Sequence, residues 1–257
     1  MDEFRRGFLW PMAVGGGIVA LIFCGKNLSI AIITGAVVVA LTFIAGVRLR
    51  YLAAVVLLGI AFSYIAIRFE PMRMRRILSY RDPEKFQEKS GYQLWYSQLA
   101  MGSGGMHGLG LTASRLKQLY LPEAHTDFIV AIIGEELGFA AVGLLMLGYI
   151  ALVAVTFWIA ALAADRQGAL TAMGIGLSIG MHAFINVGVV SGFCPTTGVT
   201  APFLSYGGSS VIASLAGVGL LLSVSRVAEL ASEERDQHSS FANDYGPVDV
   251  DDLPLQT

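Results

Sequence analysis

Apolar positions in this chain fall in long unbroken runs, without the short alternation of a half-buried strand or the one-sided stripe of a soluble amphipathic helix. The runs lie at about 7–25, 28–46, 51–67, 139–164, 169–192 and 209–225. Each approaches or exceeds the roughly 20 residues needed to cross about 30 Å of hydrocarbon. The apolar stretch from Phe128 to Ala164 is 37 residues, about 55 Å of helix, and too long for one crossing. Glu135, Glu136 and Gly138 interrupt it, which predicts a short helix over 128–138 at or inside the membrane face and a true span from 139. The predicted fold class is all-α, a polytopic transmembrane helical bundle of about six spans. Three spans occupy 1–67, a hydrophilic segment with the interfacial helix follows at 68–138, three more spans occupy 139–225, and a polar tail takes 226–257.

The placement of charge supports this division. Residues 7–67 contain only Lys26, Arg48 and Arg50, and residues 128–225 only Glu135, Glu136, Asp165 and Arg166. Charged residues are 14% of the chain against 55% apolar, where a soluble domain carries about 25% charged. A net charge of −2 spread in this way offers no basic surface for nucleic acid. Cys24 and Cys194 are too few for a disulfide scaffold or a zinc site. The first apolar run, Gly7 to Cys24, lacks a cleavage site and leads straight into a second, so it does not read as a secretory signal. With a cytoplasmic N-terminus, the inner segments carry Arg5, Arg6, Arg48, Arg50, Arg166 and Arg226, and the short outer loops only Lys26, in line with the positive-inside rule. The segment 68–127 is then extracytoplasmic. The last 32 residues hold two Arg and eight acids with few large apolar groups, a composition expected to leave a disordered acidic cytoplasmic tail.

Candidate chemistry concentrates outside the apolar runs. Arg73, Arg75, Arg76, Tyr80 and Arg81 form a basic and aromatic stretch that reads first as an interfacial anchor, with Arg snorkelling to lipid phosphates. Gly102 to Gly110 contains five glycines in nine residues. Such a run either lets backbone N–H groups cradle an anion or is a flexible turn. Ser114, Arg115 and Lys117 precede Tyr120-Leu-Pro-Glu-Ala-His-Thr-Asp127-Phe, which gathers Glu123, His125 and Asp127 at the start of an apolar segment. Ionisable groups at a membrane edge are costly and often functional, although Thr126 and Asp127 could equally cap the helix that follows. Glu135 and Glu136 point about 100° apart on a helix, so one is expected to face a polar cavity while the other caps or pairs. Asn186, Pro195-Thr-Thr-Gly198 and Pro202-Phe-Leu-Ser-Tyr-Gly-Gly-Ser-Ser210 form an uncharged cluster of small and polar residues, either tight helix packing or a cavity wall.

Several of these motifs carry a resemblance. Tyr120-Leu-Pro-Glu-Ala-His-Thr-Asp-Phe-Ile followed by Gly134-Glu-Glu-Leu-Gly138 resembles the signature of the SEDS family (FtsW, RodA, SpoVE). Gly91-Tyr-Gln-Leu, the glycine run ending at Gly110, and Pro202 to Ser210 do so too. The resemblance covers about residues 5–226 and lies closest to the cell-division branch, FtsW. It implies a peptidoglycan glycosyltransferase that polymerises lipid II outside the bacterial cytoplasmic membrane, with septal cell-wall synthesis as its setting. Its implied partners are a class B penicillin-binding protein transpeptidase and other division proteins. By the same resemblance the family's essential extracytoplasmic Asp falls on Asp127, as catalytic residue, and Lys117 falls on a recurrent basic position. The implied substrate-contacting set is Lys117, Arg115, Ser114, Glu123, His125, Gly104, Gly105, Glu135, Tyr206 and Ser209. The departing diphosphate needs positive charge, for which Lys117 and Arg115, the glycine-loop amides or a divalent cation (Mg or Mn) are the candidates.

Two departures from the family pattern stand out. Where the family has an acidic residue or Gln followed by Pro-Asp-Leu-Gly, this chain has Gly25-Lys26-Asn27-Leu28-Ser29, so Asn27 replaces the Asp. Phe193 replaces a small aliphatic residue before the Pro-Thr-x-Gly turn. The family typically has ten spans, and this chain begins where the fifth is expected, which makes it about two-thirds of the family length. Alternatives to polymerisation are a lipid II flippase and an inactive division scaffold. A flippase needs polar groups along the full membrane depth, and the acids in the apolar runs, Glu135 and Glu136, lie near one face, which favours the enzyme.

Overall fold

A computed structural model of the chain describes residues 8–86, 91–114 and 126–245. All regular structure among them is helical. In chain order the helices are α1 (Trp10–Cys24), α2 (Leu28–Ile44), α3 (Leu49–Phe69), α4 (Pro71–Arg81), α5 (Tyr92–Gly104), α6 (Ile129–Leu162), α7 (Arg166–Val190) and α8 (Gly208–Tyr245), with a 3₁₀ turn at Pro83–Phe86. Four of them, α3, α6, α7 and α8, are long and apolar enough to cross a membrane, and α1 and α2 are shorter apolar helices of 15 and 17 residues. The chain is an integral membrane protein by these helices and by the family established below. The large apolar side chains turned outward, such as Leu144 and Trp158, both 71% exposed on α6, then face lipid and carry no solvation penalty.

The α6–α7 pair is the spine of the bundle. Their axes approach closely because Gly176 on α7 offers no Cβ; one there would lie 1.9 Å from Thr156 Oγ1 of α6, the small-residue contact expected between membrane helices. α2 packs on the other side of α7 and carries α1. The Arg166 guanidinium, at the start of α7, donates to the carbonyl of Ala45 at the end of α2, so these two helices run antiparallel with matched ends. Short capped turns make this possible: Asn27 Oδ1 accepts from Ile30 N at 3.4 Å to open α2, and Asp165 Oδ1 accepts from Gly168 N at 3.0 Å to open α7.

α6 is two helices joined at a break. Gly138 has φ 80° and ψ 178°, a conformation essentially confined to glycine. The residues N-terminal to it form a short buried segment and those C-terminal to it the membrane span. The principal core lies around the short segment, where Val130 and Ala131 (both 0% exposed) pack with Ala100 of α5 and Val189 and Val190 of α7.

Of the tail expected to be disordered over 226–257, the described part to Tyr245 continues α8 as helix, and 246–257 lie outside the described residues. Composition argued against a self-supporting fold, yet nucleation is the costly step of helix formation. A helix already nucleated by a membrane span propagates readily through Ala-Glu-Leu-Ala-Ser-Glu-Glu-Arg235, which is rich in good helix formers.

Candidate active site

The structure gives the glycine run a structural role. At the break in α6 the backbone groups on either side of Gly138 lose their helical partners, and the loop after α5 supplies replacements on both sides of the gap. Leu109 N and Gly110 N donate to the carbonyls of Glu135 and Glu136, each at 2.9 Å, while Phe139 N donates to Gly105 O at 2.8 Å and Ala140 N to Met106 O at 3.3 Å. Buried amides left unpaired would each cost about 1–3 kcal/mol, so this splint is what permits the break. Of the two readings of this run, anion cradle or turn, Gly104 takes no part in the first. Gly104 is buried, and a Cβ on it would lie 2.0 Å from Gly134 O, so it faces α6 and not a ligand. Gly105 is exposed, with its carbonyl engaged on α6.

Ser114 and Glu135 are likewise turned inward. They are 2% and 1% exposed, and Ser114 Oγ donates to Glu135 Oε2 at 2.5 Å. The pair pins the end of the glycine loop to the short segment of α6. A carboxylate beneath the membrane face is costly unless hydrogen-bonded, and this bond satisfies one oxygen of Glu135. Glu136 is also buried, and its Oε1 has no hydrogen-bond partner. Arg115, Lys117, Glu123 and His125 lie outside the described residues.

Asp127 is placed by three elements. It precedes Phe128, which is the N-cap of α6 and makes no side-chain capping bond, so the capping role expected of Thr126 and Asp127 does not fall on the cap position. Asn186, on α7 and 1% exposed, reaches across with its amide: Nδ2 donates to Asp127 O at 2.9 Å and to Val199 O at 2.6 Å. One side chain thus holds the backbone of Asp127 against the loop that follows α7. In that loop Gly198, at φ +67°, sits against the carboxylate, with Asp127 Oδ2 3.4 Å from where a Cβ would be. Asp127 itself is half-buried, an acid at the edge of the bundle with its main chain fixed. Tyr149 of α6 pins the same loop further along, donating to Pro202 O at 2.6 Å.

Ser209 and Tyr206 separate from this centre. Tyr206 is 84% exposed. Ser209 lines a groove of about 1070 Å³ between α2, α7 and α8, whose polar wall runs from Arg166 and Gln167 through Thr171, Ser178 and His182 to Thr200. Polar groups therefore follow α7 along its length. Sequence reasoning left Tyr149 and His182 unmarked; their signal was a single polar group in an apolar run. Among the described residues no three His, Cys, Asp or Glu side chains come together to hold a metal ion.

Comparison with known proteins fits this geometry. The model of the FtsW, RodA and SpoVE cell cycle proteins matches residues 1–230. The chain is 38% identical over 225 residues to the probable peptidoglycan glycosyltransferase FtsW of Geobacter sp. (strain M18), covering 88% of this chain and 61% of that one. It is 40% identical over 226 residues to the stage V sporulation protein E of Bacillus subtilis (strain 168), covering 88% and 62%. Among solved structures it is similar to a chain of a peptidoglycan synthase complex that coordinates polymerization and crosslinking, with TM-score 0.70 at 28% identity over 86% of this chain and 62% of that one. The rod shape determining protein RodA of Thermus thermophilus gives TM-score 0.57 at 27% identity, over 86% and 56%. The chain spans about three-fifths of the length of these relatives.

Proposed function

The chain belongs to the family of FtsW, RodA and SpoVE cell cycle proteins, and on that premise we propose that it carries the catalytic residues of a peptidoglycan glycosyltransferase. It would polymerise lipid II at the outer face of the cytoplasmic membrane during septal wall synthesis, with a class B penicillin-binding protein as transpeptidase partner. The observation that carries this reading is Asp127: a half-buried carboxylate whose main chain is clamped by Asn186, beside a glycine that leaves its oxygen uncrowded.

The chemistry follows from that placement. The 4-hydroxyl oxygen of one sugar bonds to the anomeric carbon of the next. The bond from that carbon to the diphosphate oxygen breaks, and its electron pair leaves with the polyprenyl diphosphate. Asp127 takes the hydroxyl proton. A positioned general base contributes about 10²–10⁴-fold, and holding its backbone from α7 keeps it within reach of the nucleophile. Arg115 and Lys117 are proposed to face the departing diphosphate, as are Glu123 and His125 the sugar.

A second reading, transport of lipid II across the membrane, is favoured by one feature, the polar wall of the α2–α7–α8 groove. The test supplies purified lipid II to the chain in vesicles, with and without the partner transpeptidase and with Mg, Mn or a chelator. Glycan product supports the polymerase. Movement of lipid II without product supports transport, and neither outcome leaves a scaffold role in division. Loss of product on chelation alone would identify a divalent cation as part of the machinery.

A further inference from the structure

A second cavity, of about 430 Å³, opens where the α1–α2 turn, the α3–α4 corner and the loop after α7 meet; its charged lining is Lys26, Arg73, Arg76 and Glu70, with Thr196 and Thr197 on the loop side. We propose that this cavity is a diphosphate pocket that receives the leaving group of the lipid-linked donor. The proposal rests on the polymerase reading above and names the residues that serve it.

Three cations to one acid share this small space. The one ion pair among the described residues is Lys85 with Asp82, so none of the three is ion-paired to a described carboxylate, and Glu70 offsets only one of their charges. Mutual repulsion between them is relieved by an anion. The first turn of α2 forms part of the same wall, adding the positive end of a helix dipole. Arg73 is held in place for such a contact, since Nη1 donates to Ala66 O at 3.3 Å and the guanidinium lies 5.3 Å over the ring of Phe23. Lys26 adopts a left-handed φ of 61°, a conformation that glycine or asparagine takes at lower cost. Strain of that kind in a charged residue, at a cavity rim, points to a use for its side chain. Tyr80 Oη donates to Phe193 O at 2.9 Å and holds α4 against the loop that closes the pocket.

The cavity also abuts Asp127. Thr197 lines it, and its buried hydroxyl has no hydrogen-bond partner. The next residue, Gly198, is the one against the Asp127 carboxylate. Adjacent residues of one loop, Thr197 and Gly198, thus face the pocket and the base. Within the one segment that departs from the family motif at 25–29, Lys26 adds a positive charge and Asn27 stands where a negative one is expected.

The same phosphate chemistry could come from an anionic phospholipid headgroup, and the experiment separates the two sources. Binding of inorganic pyrophosphate to the purified chain is measured by calorimetry in nanodiscs of phosphatidylcholine and in nanodiscs containing phosphatidylglycerol. Lys26→Ala and Arg76→Gln should each weaken it about tenfold. Lys26→Arg and Arg76→Lys retain most of it, and Arg75→Gln, on the same helix but outside the lining, leaves it unchanged. Unaltered affinity in Lys26→Ala and Arg76→Gln overturns the pocket, as does loss of pyrophosphate binding in phosphatidylglycerol, which would make it a headgroup seat. The readout needs no turnover. A chain that binds pyrophosphate as described but forms no glycan retains the pocket and refutes the polymerase reading; a chain that forms glycan with unaltered binding in the variants does the reverse.

Discussion

Gly102 and Gly104 lie two residues apart near the end of α5, and alanine should have opposite effects at the two. A Cβ at Gly102 meets nothing within 4 Å. Alanine there restricts the unfolded chain and should stabilise by about 0.4–1 kcal/mol. At Gly104 the added carbon would lie 2.0 Å from Gly134 O and 2.9 Å from Glu135 Cα. Those are backbone atoms of the short segment of α6, which cannot rotate away as a side chain would. α5 and α6 must separate by about 1 Å, a gap that forfeits a quarter to a half of each facing dispersion contact. Overpacking of this kind costs about 1–3 kcal/mol. The two splinting bonds to the carbonyls of Glu135 and Glu136 add about 1 kcal/mol each if they are stretched. The expected total is about 3–5 kcal/mol, and at about 2–4 °C per kcal/mol for a chain of this size the midpoint should fall by at least about 6 °C. The assay is heat-induced loss of the monodisperse peak in one detergent for wild type, Gly102→Ala and Gly104→Ala. Equal midpoints for Gly104→Ala and wild type would refute the close approach of α5 to α6.

Two further substitutions test the site. Gly138→Ala places a Cβ 2.5 Å from Gly108 N and Met106 O at a φ of +80°; it should abolish monodisperse protein, and recovery of a stable chain would contradict the break as drawn. Asn186→Ala removes the amide that bridges the carbonyls of Asp127 and Val199, about 1–3 kcal/mol for the buried Val199 acceptor alone. Glycan synthesis should then show a lowered kcat with KM little changed, because the base is misplaced and substrate contacts are not.

Much of this arrangement was legible in the chain itself. Runs without charge marked the helices, and Glu135, Glu136 and Gly138 marked the break in α6, because acids and a glycine interrupt an apolar run visibly. The role of the glycine run was not legible. Its contacts are backbone to backbone, and a missing side chain serves an anion cradle and a helix splint equally well. Asn186 stood out as polar, but the carbonyls it holds are 59 and 13 residues away, a pairing that no local pattern encodes. The same holds for Lys26, Arg73 and Thr197, which join one cavity from three distant turns. α8 ran past its expected end because composition does not register that a helix is already nucleated.

The central claim is that Asp127 is the base for sugar transfer, and the most direct measurement is the initial rate of lipid II polymerisation by Asp127→Asn beside wild type, each with the partner transpeptidase present. The substitution conserves shape and the main-chain bond to Asn186, so the fold is retained. The rate should fall about 10²–10⁴-fold with pyrophosphate affinity unchanged. Polymerisation by Asp127→Asn at the wild-type rate would contradict the account.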